Sequence, residues 1–566
     1  MGITVNMKRQ RRIERIRQGK IGAEMLMRER LGVLKNGKSA LCLLACCMIW
    51  VLFLVIVLQK GYTVIAYNTP KEVREMSSVV FAYHFAEGDN LYAASALNQS
   101  IPPATCVYGI LMPLILAPCI RILSFTPLNA LQICELVTLV FEVVGAIFFY
   151  RLLCKKTSSH WLSAVGMFFF YSCYFRVDGF AGAFPDQWGL TLSVILMSAI
   201  CRDELRGHYR PGLYAAIIIG LFYTKQYFVF IVVGLCVYVF MRSKKTFGLL
   251  ALYGVGGGIA SIILVDCFFP LYFSEALAIM QEQVGPVFAL KFSMGQVWEI
   301  NKVYVGIIVF GVLNAFIAIY NLAKKKEVKR EFSYEFCQMI CMFPIVLYLA
   351  QNPGNYYAYW FQLWYPFVIV CCITSTVVVL HRIYSWRYAK IRAFVLGMCA
   401  ILMGCSFYQM MYTPPFFFKC DLMTDEEREA WKHSYSILEE YAQEGDILVP
   451  MLLSNYCLEN GIETVDYGHA QCNVPFTLEN YKNSKLWTNF FLVDYTEALL
   501  EKCIRYNDVE IRNKIADQDY SCIALTSVKD YGLTEQEVID SGYHILTKKE
   551  LPSGRQHWEV VFYIKD

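Results

Sequence analysis

The chain has 566 residues, 57% hydrophobic, 15% aromatic and only 17% charged, whereas a soluble domain carries about a quarter charged residues. That balance excludes an ordinary soluble enzyme. The net charge of +4 conceals an asymmetry: residues 412–566 hold 27 acidic and 14 basic side chains, and the remainder 20 acidic and 37 basic. The chain therefore reads as a polytopic membrane protein followed by an acidic soluble region.

Residues 1–39 carry eleven Lys or Arg against three Glu. The segment is too long and too charged for a cleaved signal peptide, so it is expected to be a cytoplasmic basic segment followed by a retained span. The run from Ala40, ALCLLACCMIWVLFLVIVL, approaches the roughly 20 apolar residues needed to cross a bilayer. Basic clusters then recur at Arg151/Lys155/Lys156, Arg202/Arg206/Arg210, Arg242/Lys244/Lys245, Lys324 to Arg330 and Arg382/Arg387/Lys390. The positive-inside rule puts each of them in the cytoplasm, which requires an even number of crossings between successive clusters.

On that constraint spans are expected near 40–59, 129–152, 159–176, 184–203, 247–266, 303–323, 334–350, 361–380 and 392–411. Two short helices within 214–240 should meet outside at Tyr223–Gln226, giving eleven spans. The stretch 104–124, interrupted by Pro113 and Pro118, is assigned to a juxtamembrane or re-entrant helix in the first outer loop, because proline weakens a straight helix. The region 412–566 reads as an extracytoplasmic α/β domain. EEREAWKHSYSILEEYAQ has helical spacing, and DILVP, ETVDYG, SCIALTS and WEVVFYIKD have the character of strands. It lacks a G-x-G-x-x-G loop, a P-loop and C-x-x-C spacing, so a lid or packing domain is favoured over a second catalytic unit.

Charged residues on the outer loops are few and therefore informative. Glu72 and Glu75 lie one helical turn apart; such a pair beside a membrane can bind a cation, act as a general base, or face water. Asp178 and Arg176 share the second outer loop with Asp186, which follows Pro185 at a helix start, where an acid can also simply complement the dipole. Lys225, between two short membrane helices, either snorkels or meets an anion such as a lipid phosphate. Asn355 and Tyr356 sit in an aromatic turn that an interfacial belt would also explain. The Asn98-Gln99-Ser100 sequon is of the kind expected by chance.

The segments REMSSVVFAYHFAEGDNLY, PPATCVYGILMPLILAP, FPDQWGLTLSVIL, GLFYTKQYFVF and GNYYAYWFQLWYP, in that order and on outer loops, make residues 40–411 resemble the GT-C superfamily of integral membrane glycosyltransferases. The likeness is to the bacterial polyprenyl-phosphate-sugar-dependent type. It implies transfer of a sugar from a polyprenyl-phosphate donor to a glycolipid, wall-polymer or protein acceptor at the outer face of a bacterial plasma membrane, with inversion. Glu75, with Glu72 second, matches the family's first-loop catalytic acid, and Asp186 its second-loop acid, with Asp178 a weaker match. Lys225 matches a residue facing the donor phosphate, and Arg74, Arg176, Asn355 and Tyr356 are further candidates for substrate binding. Some family members bind a divalent metal and others need none. No nucleic-acid partner is expected. A polytopic transporter or lipid flippase, or a non-catalytic envelope scaffold, would share the many spans.

Overall fold

Apolar helices dominate the first two thirds of the computed structural model. It describes residues 39–71, 75–98, 106, 108–175, 182–278, 333–349, 361–384, 423–462, 495–505, 509–526, 532–553 and 556–565. Helix α1 (Ser39–Ala66) leads to a short helix α2 (Glu75–Glu87), and α3 (Leu111–Leu123) precedes α4 (Ala130–Thr157). The chain continues through α5 (His160–Tyr171), α6 (Pro185–Arg206), α7 (Pro211–Thr224), α8 (Ile231–Arg242) and α9 (Lys244–Phe268). Then follow α10 (Tyr334–Leu349) and α11 (Tyr365–Tyr384). Among the described residues three helices are long and apolar enough to cross a membrane: Cys42–Ala66, Ala130–Thr157 and Lys244–Phe268. Shorter apolar helices include Leu111–Leu123, Pro211–Thr224, Gln226–Arg242, Tyr334–Leu349 and Tyr365–Val377. The expected spans 303–323 and 392–411 lie outside the described residues.

Local sequence explains where the helices begin and end. Asn129 caps α4 through a capping box with Gln132, which satisfies two otherwise orphaned backbone donors. Pro185 and Pro211 open α6 and α7, where the missing N–H costs nothing. Gly207 closes α6 in the left-handed conformation at φ +67°. Helix α3 has 13 residues, about 20 Å of helix, and contains Pro118; it packs beside α2 on the same side as the α4 N-terminus. Helix α7 is about 21 Å long and stops at Thr224, where Lys225 becomes extended before a 3-10 turn at Gln226–Phe230.

Helix α4 carries a polar face inside the apolar bundle. Glu135, Thr138 and Glu142 recur at helical spacing on one side, and all three are buried. The Glu142 carboxylate accepts from Lys60 of α1 at 3.1 Å and from the Tyr171 hydroxyl at 3.4 Å. Thr138 Oγ1 accepts from the Trp188 indole at 3.1 Å, and that indole stacks on Phe141 at 4.0 Å. At the helix ends that bear the basic clusters, Lys156 pairs with Glu335 at 2.9 Å, Arg210 with Asp203 at 2.9 Å and Arg242 with Glu204 at 3.2 Å.

Past residue 422 lies an α/β unit. Its helices are α12 (Asp425–Ala442), α13 (Ser454–Asn460), α14 (Thr496–Arg505), α15 (Ile511–Ala516) and α16 (Glu535–Asp540). The strands are β1 (Asp446–Leu448), β2 (Tyr520–Thr526), β3 (Tyr543–Ser553) and β4 (Gln556–Lys565), in one sheet of order β1-β2-β4-β3. Only β1 and β2 run parallel. DILVP, SCIALTS and WEVVFYIKD fall on strands, while ETVDYG lies outside the described residues. Strand β3 was not anticipated: Lys548-Lys549-Glu550 interrupts its apolar alternation, as suits a strand at the sheet edge. The unit rests on α2 and on the start of α4. Met451 and Leu458 pack with Met76 and Val79 of α2, Asn455 Nδ2 donates to the Asn68 carbonyl at 2.7 Å, and Glu459 accepts from the Asn129 amide.

Candidate functional site: a buried lysine–carboxylate cluster at the helix ends

Two short helices meeting at one lysine create the centre of the site. Because Lys225 interrupts the α7–α8 pair in an extended conformation, its side chain leaves the helical ladder. Its Nζ lies 2.7 Å from Asp186 Oδ2, at the N-terminus of α6. Both residues are buried, at 6% and 2% exposure. Asp186 Oδ1 accepts from the Tyr227 hydroxyl and from Gln362 Nε2, the latter at 2.8 Å, and Gln362 also reaches the Tyr227 oxygen at 3.2 Å. The ammonium sits 4.5 Å from the Tyr108 ring centroid and 5.2 Å from that of Tyr227, within cation–π range. A desolvated cation is thus held by one carboxylate and two aromatic faces, the arrangement that lets a fixed charge act strongly on a nearby anion.

Glu75 is fully buried at the start of α2. One carboxylate oxygen accepts from the Lys71 backbone N–H at 2.6 Å and the other from the Ala183 N–H at 2.9 Å. The segment 183–186 therefore ties Glu75 to Asp186, since Ala183 binds the first and lies three residues before the second. Beside Glu75 stands Glu135 of α4, also fully buried, with Lys71 Nζ 3.9 Å away. A Cβ at Gly182 would stand 2.2 Å from Phe184 Cε2 and 2.6 Å from Glu75 Oε2, so a side chain there would displace one of them. Among the described residues no group of three or more His, Cys, Asp or Glu has the arrangement of a metal site. Beside the Glu75 and Glu135 carboxylates the neighbouring cation is the Lys71 ammonium.

The structure brings Asp186 and Lys225 into direct contact and links Glu75 to them through the segment 183–186. Glu72, Arg74, Arg176, Asp178, Asn355 and Tyr356 lie outside the described residues. Several members of the cluster were missed. Tyr227 and Gln362 belong to the segments GLFYTKQYFVF and GNYYAYWFQLWYP, but nothing in the local spacing singles them out there. Glu135 and Glu142 offered a usable signal, since an acid within an apolar span is rare and marks a partner or a site.

No family model matches the chain, and no curated protein matches it. Among solved structures it is similar to the Archaeoglobus fulgidus oligosaccharyltransferase in the apo form, at TM-score 0.48 and 10% identity, covering 86% of this chain and 70% of that one. The same enzyme tethered to an acceptor peptide containing the NVT sequon matches at TM-score 0.48 and 10% identity, over 92% and 74% of the two chains. ArnT from Cupriavidus metallidurans, bound to undecaprenyl phosphate, matches at TM-score 0.40 and 11% identity, over 90% and 98%. Both neighbours are GT-C membrane glycosyltransferases. At TM-scores below 0.5 these likenesses assign no role to any residue of this chain.

Proposed function

We propose that the protein is a membrane glycosyltransferase that moves a sugar from a polyprenyl-phosphate donor to an acceptor hydroxyl or amide at the outer membrane face. The observation that carries this reading is the buried Lys225 ammonium, held 2.7 Å from Asp186 where short helices end. A sugar on a lipid phosphate has a competent leaving group, so catalysis needs a cation for the departing phosphate and a base for the acceptor. Lys225 supplies the first, and Asp186, Tyr227 and Gln362 orient it. Glu75, positioned by two backbone donors, supplies the second: it takes the acceptor proton as the acceptor attacks the anomeric carbon and the carbon–phosphate oxygen bond breaks. Inversion follows from a single displacement of this kind and is inherited from the family resemblance.

In the accompanying topology residues 1–39 are cytoplasmic, 40–411 form the catalytic membrane domain, and 412–566 form an extracytoplasmic domain over the first outer loop. The membrane is a bacterial plasma membrane by family type. The acceptor is a glycolipid, a wall polymer or a protein.

Purified protein incubated with labelled polyprenyl-phosphate sugars and an envelope-derived acceptor fraction should consume one donor. Glu75→Gln should lower turnover by about 10²–10⁴-fold, the usual contribution of general base catalysis. Wild-type turnover in that variant removes Glu75 from the role. One observation favours a transporter instead: the Lys60–Glu142 pair is buried inside the bundle, as ion-pathway residues are. Lipid movement without any new glycosidic bond would select that reading.

A further inference from the structure

A second polar cluster adjoins the Lys225 site and takes no part in the chemistry above. After α9 the chain makes a turn at Ser274–Ala278, and Glu275 is buried there at 0% exposure. Its Oε2 accepts from the Cys106 backbone N–H at 3.1 Å, and its Oε1 has no hydrogen-bond partner. Three neighbouring hydroxyls share that condition: Tyr92, Tyr272 and Ser274, each fully buried and unpartnered. The Tyr92 hydroxyl faces the Cys106 thiol and the Tyr272 hydroxyl the Ile110 backbone, neither at hydrogen-bonding geometry. The Tyr92 and Tyr272 rings meet edge-on at 5.5 Å, and Phe81 lies 4.5 Å from Tyr92.

Four buried polar atoms in one place are not an ordinary packing feature. A group left unsatisfied costs roughly 1–3 kcal/mol, and buried polar atoms are nearly always paired. Burial also pushes the Glu275 carboxyl well above the usual carboxylate range, opposed only by the Cys106 N–H, and pushes the Cys106 thiol up to about 11. Burial thus works against charge on both groups, which disfavours a metal cation or a phosphate as the occupant. Its groups each donate and accept, and aromatic rings wall them in, as in sites for small neutral ligands. The cluster also touches the Lys225 hinge. Cys106 is two residues from Tyr108, whose ring carries the Lys225 ammonium; Gln226 Nε2 donates to the Ala276 carbonyl at 3.2 Å; and the Tyr223 and Tyr272 rings are 6.0 Å apart.

We infer that Glu275, Tyr92, Tyr272 and Ser274 form a subsite for the hydroxyl groups of a neutral sugar, beside the lysine that holds its lipid phosphate. The inference rests on the lipid-phosphate-sugar reading and names where the sugar part is recognised. A site built to hydrogen-bond hydroxyls discriminates strongly against a ligand lacking them, because its own polar groups would then stay unpaired.

The test uses the full chain in lipid nanodiscs and two kinds of probe: polyprenyl phosphate alone, and polyprenyl-phosphate glucose, mannose and arabinose. Wild type should bind at least one sugar lipid ten-fold or more tighter than the bare lipid. Glu275→Gln and Tyr272→Phe should each remove most of that preference while leaving bare-lipid affinity unchanged, and Tyr272→Phe should not lower Tm. If bare lipid binds but either no sugar lipid is preferred or the variants keep the preference, the subsite is overturned and the Lys225 reading stands. A lowered Tm for Tyr272→Phe marks that hydroxyl as structural and also overturns it. Failure of wild type to bind even bare lipid overturns the lipid-phosphate reading, and the subsite with it.

Discussion

Lys225 and Asp186 illustrate how much a buried charge depends on its partner. Together they satisfy each other at 2.7 Å, with Tyr227 and Gln362 completing the carboxylate. Removing one leaves the other desolvated and uncompensated, which costs roughly 3–5 kcal/mol, whereas neutralising both can be close to neutral. Lys225→Met alone should therefore lower Tm substantially. Adding Asp186→Asn, which still accepts from Tyr227 and Gln362, should restore most of that loss without restoring donor binding. Thermal unfolding of the two single variants and the double variant gives the coupling directly. Equal stability of Lys225→Met and wild type would mean that the pair is not closed in the resting protein.

Where the segment before α3 crosses the end of α7, the contact between elements is made by backbone. The Gly109 N–H donates to the Thr224 carbonyl at 3.2 Å, and a Cβ on residue 109 would lie 2.0 Å from the Tyr223 carbonyl oxygen. A carbonyl of a helix end cannot swing aside as a side chain can, so only glycine permits this approach. Gly109→Ala should push the loop off the helix end, costing about 1–3 kcal/mol, as overpacking does. It should also weaken polyprenyl-phosphate binding by ten-fold or more, because Tyr108 beneath Lys225 moves with it. Isothermal titration with the bare lipid, alongside Tm, checks both effects; unchanged values would show that the loop relaxes without disturbing Lys225.

On the scale of the molecule, the ion pairs Lys156–Glu335, Arg210–Asp203 and Arg242–Glu204 collect at one end of the bundle. The Lys225 cluster and the α/β unit collect at the other. The topology proposed for the chain predicts that a membrane-impermeant maleimide labels Asn460→Cys in intact cells and Ser243→Cys only after permeabilisation. The reverse pattern would invert the chain and place the Glu75–Lys225 site in the cytoplasm. Packing of α13 on α2 further implies that the α/β unit covers the helix bearing Glu75. On the proposed function, entry of an acceptor to Glu75 involves that contact.

Much of this arrangement is local and so is written in the chain directly. Apolar run length marks helices long enough to cross a membrane, Pro185 and Asn129 mark helix starts, and the break at Tyr223–Gln226 separates α7 from α8. Asp186 and Lys225 stand out because charges are scarce in such surroundings. Other features depend on residues far apart in sequence, whose meeting no period or propensity encodes. Gln362 reaches Asp186 across 176 positions, Glu135 comes to stand beside Glu75, and Glu275 binds the Cys106 backbone from 169 positions away. Strand β3 likewise owes its place to β4, whose hydrogen bonds outweigh a charged run that would otherwise read as loop. Tertiary packing alone brings these scattered polar residues together, because only the folded chain places them within reach of one another.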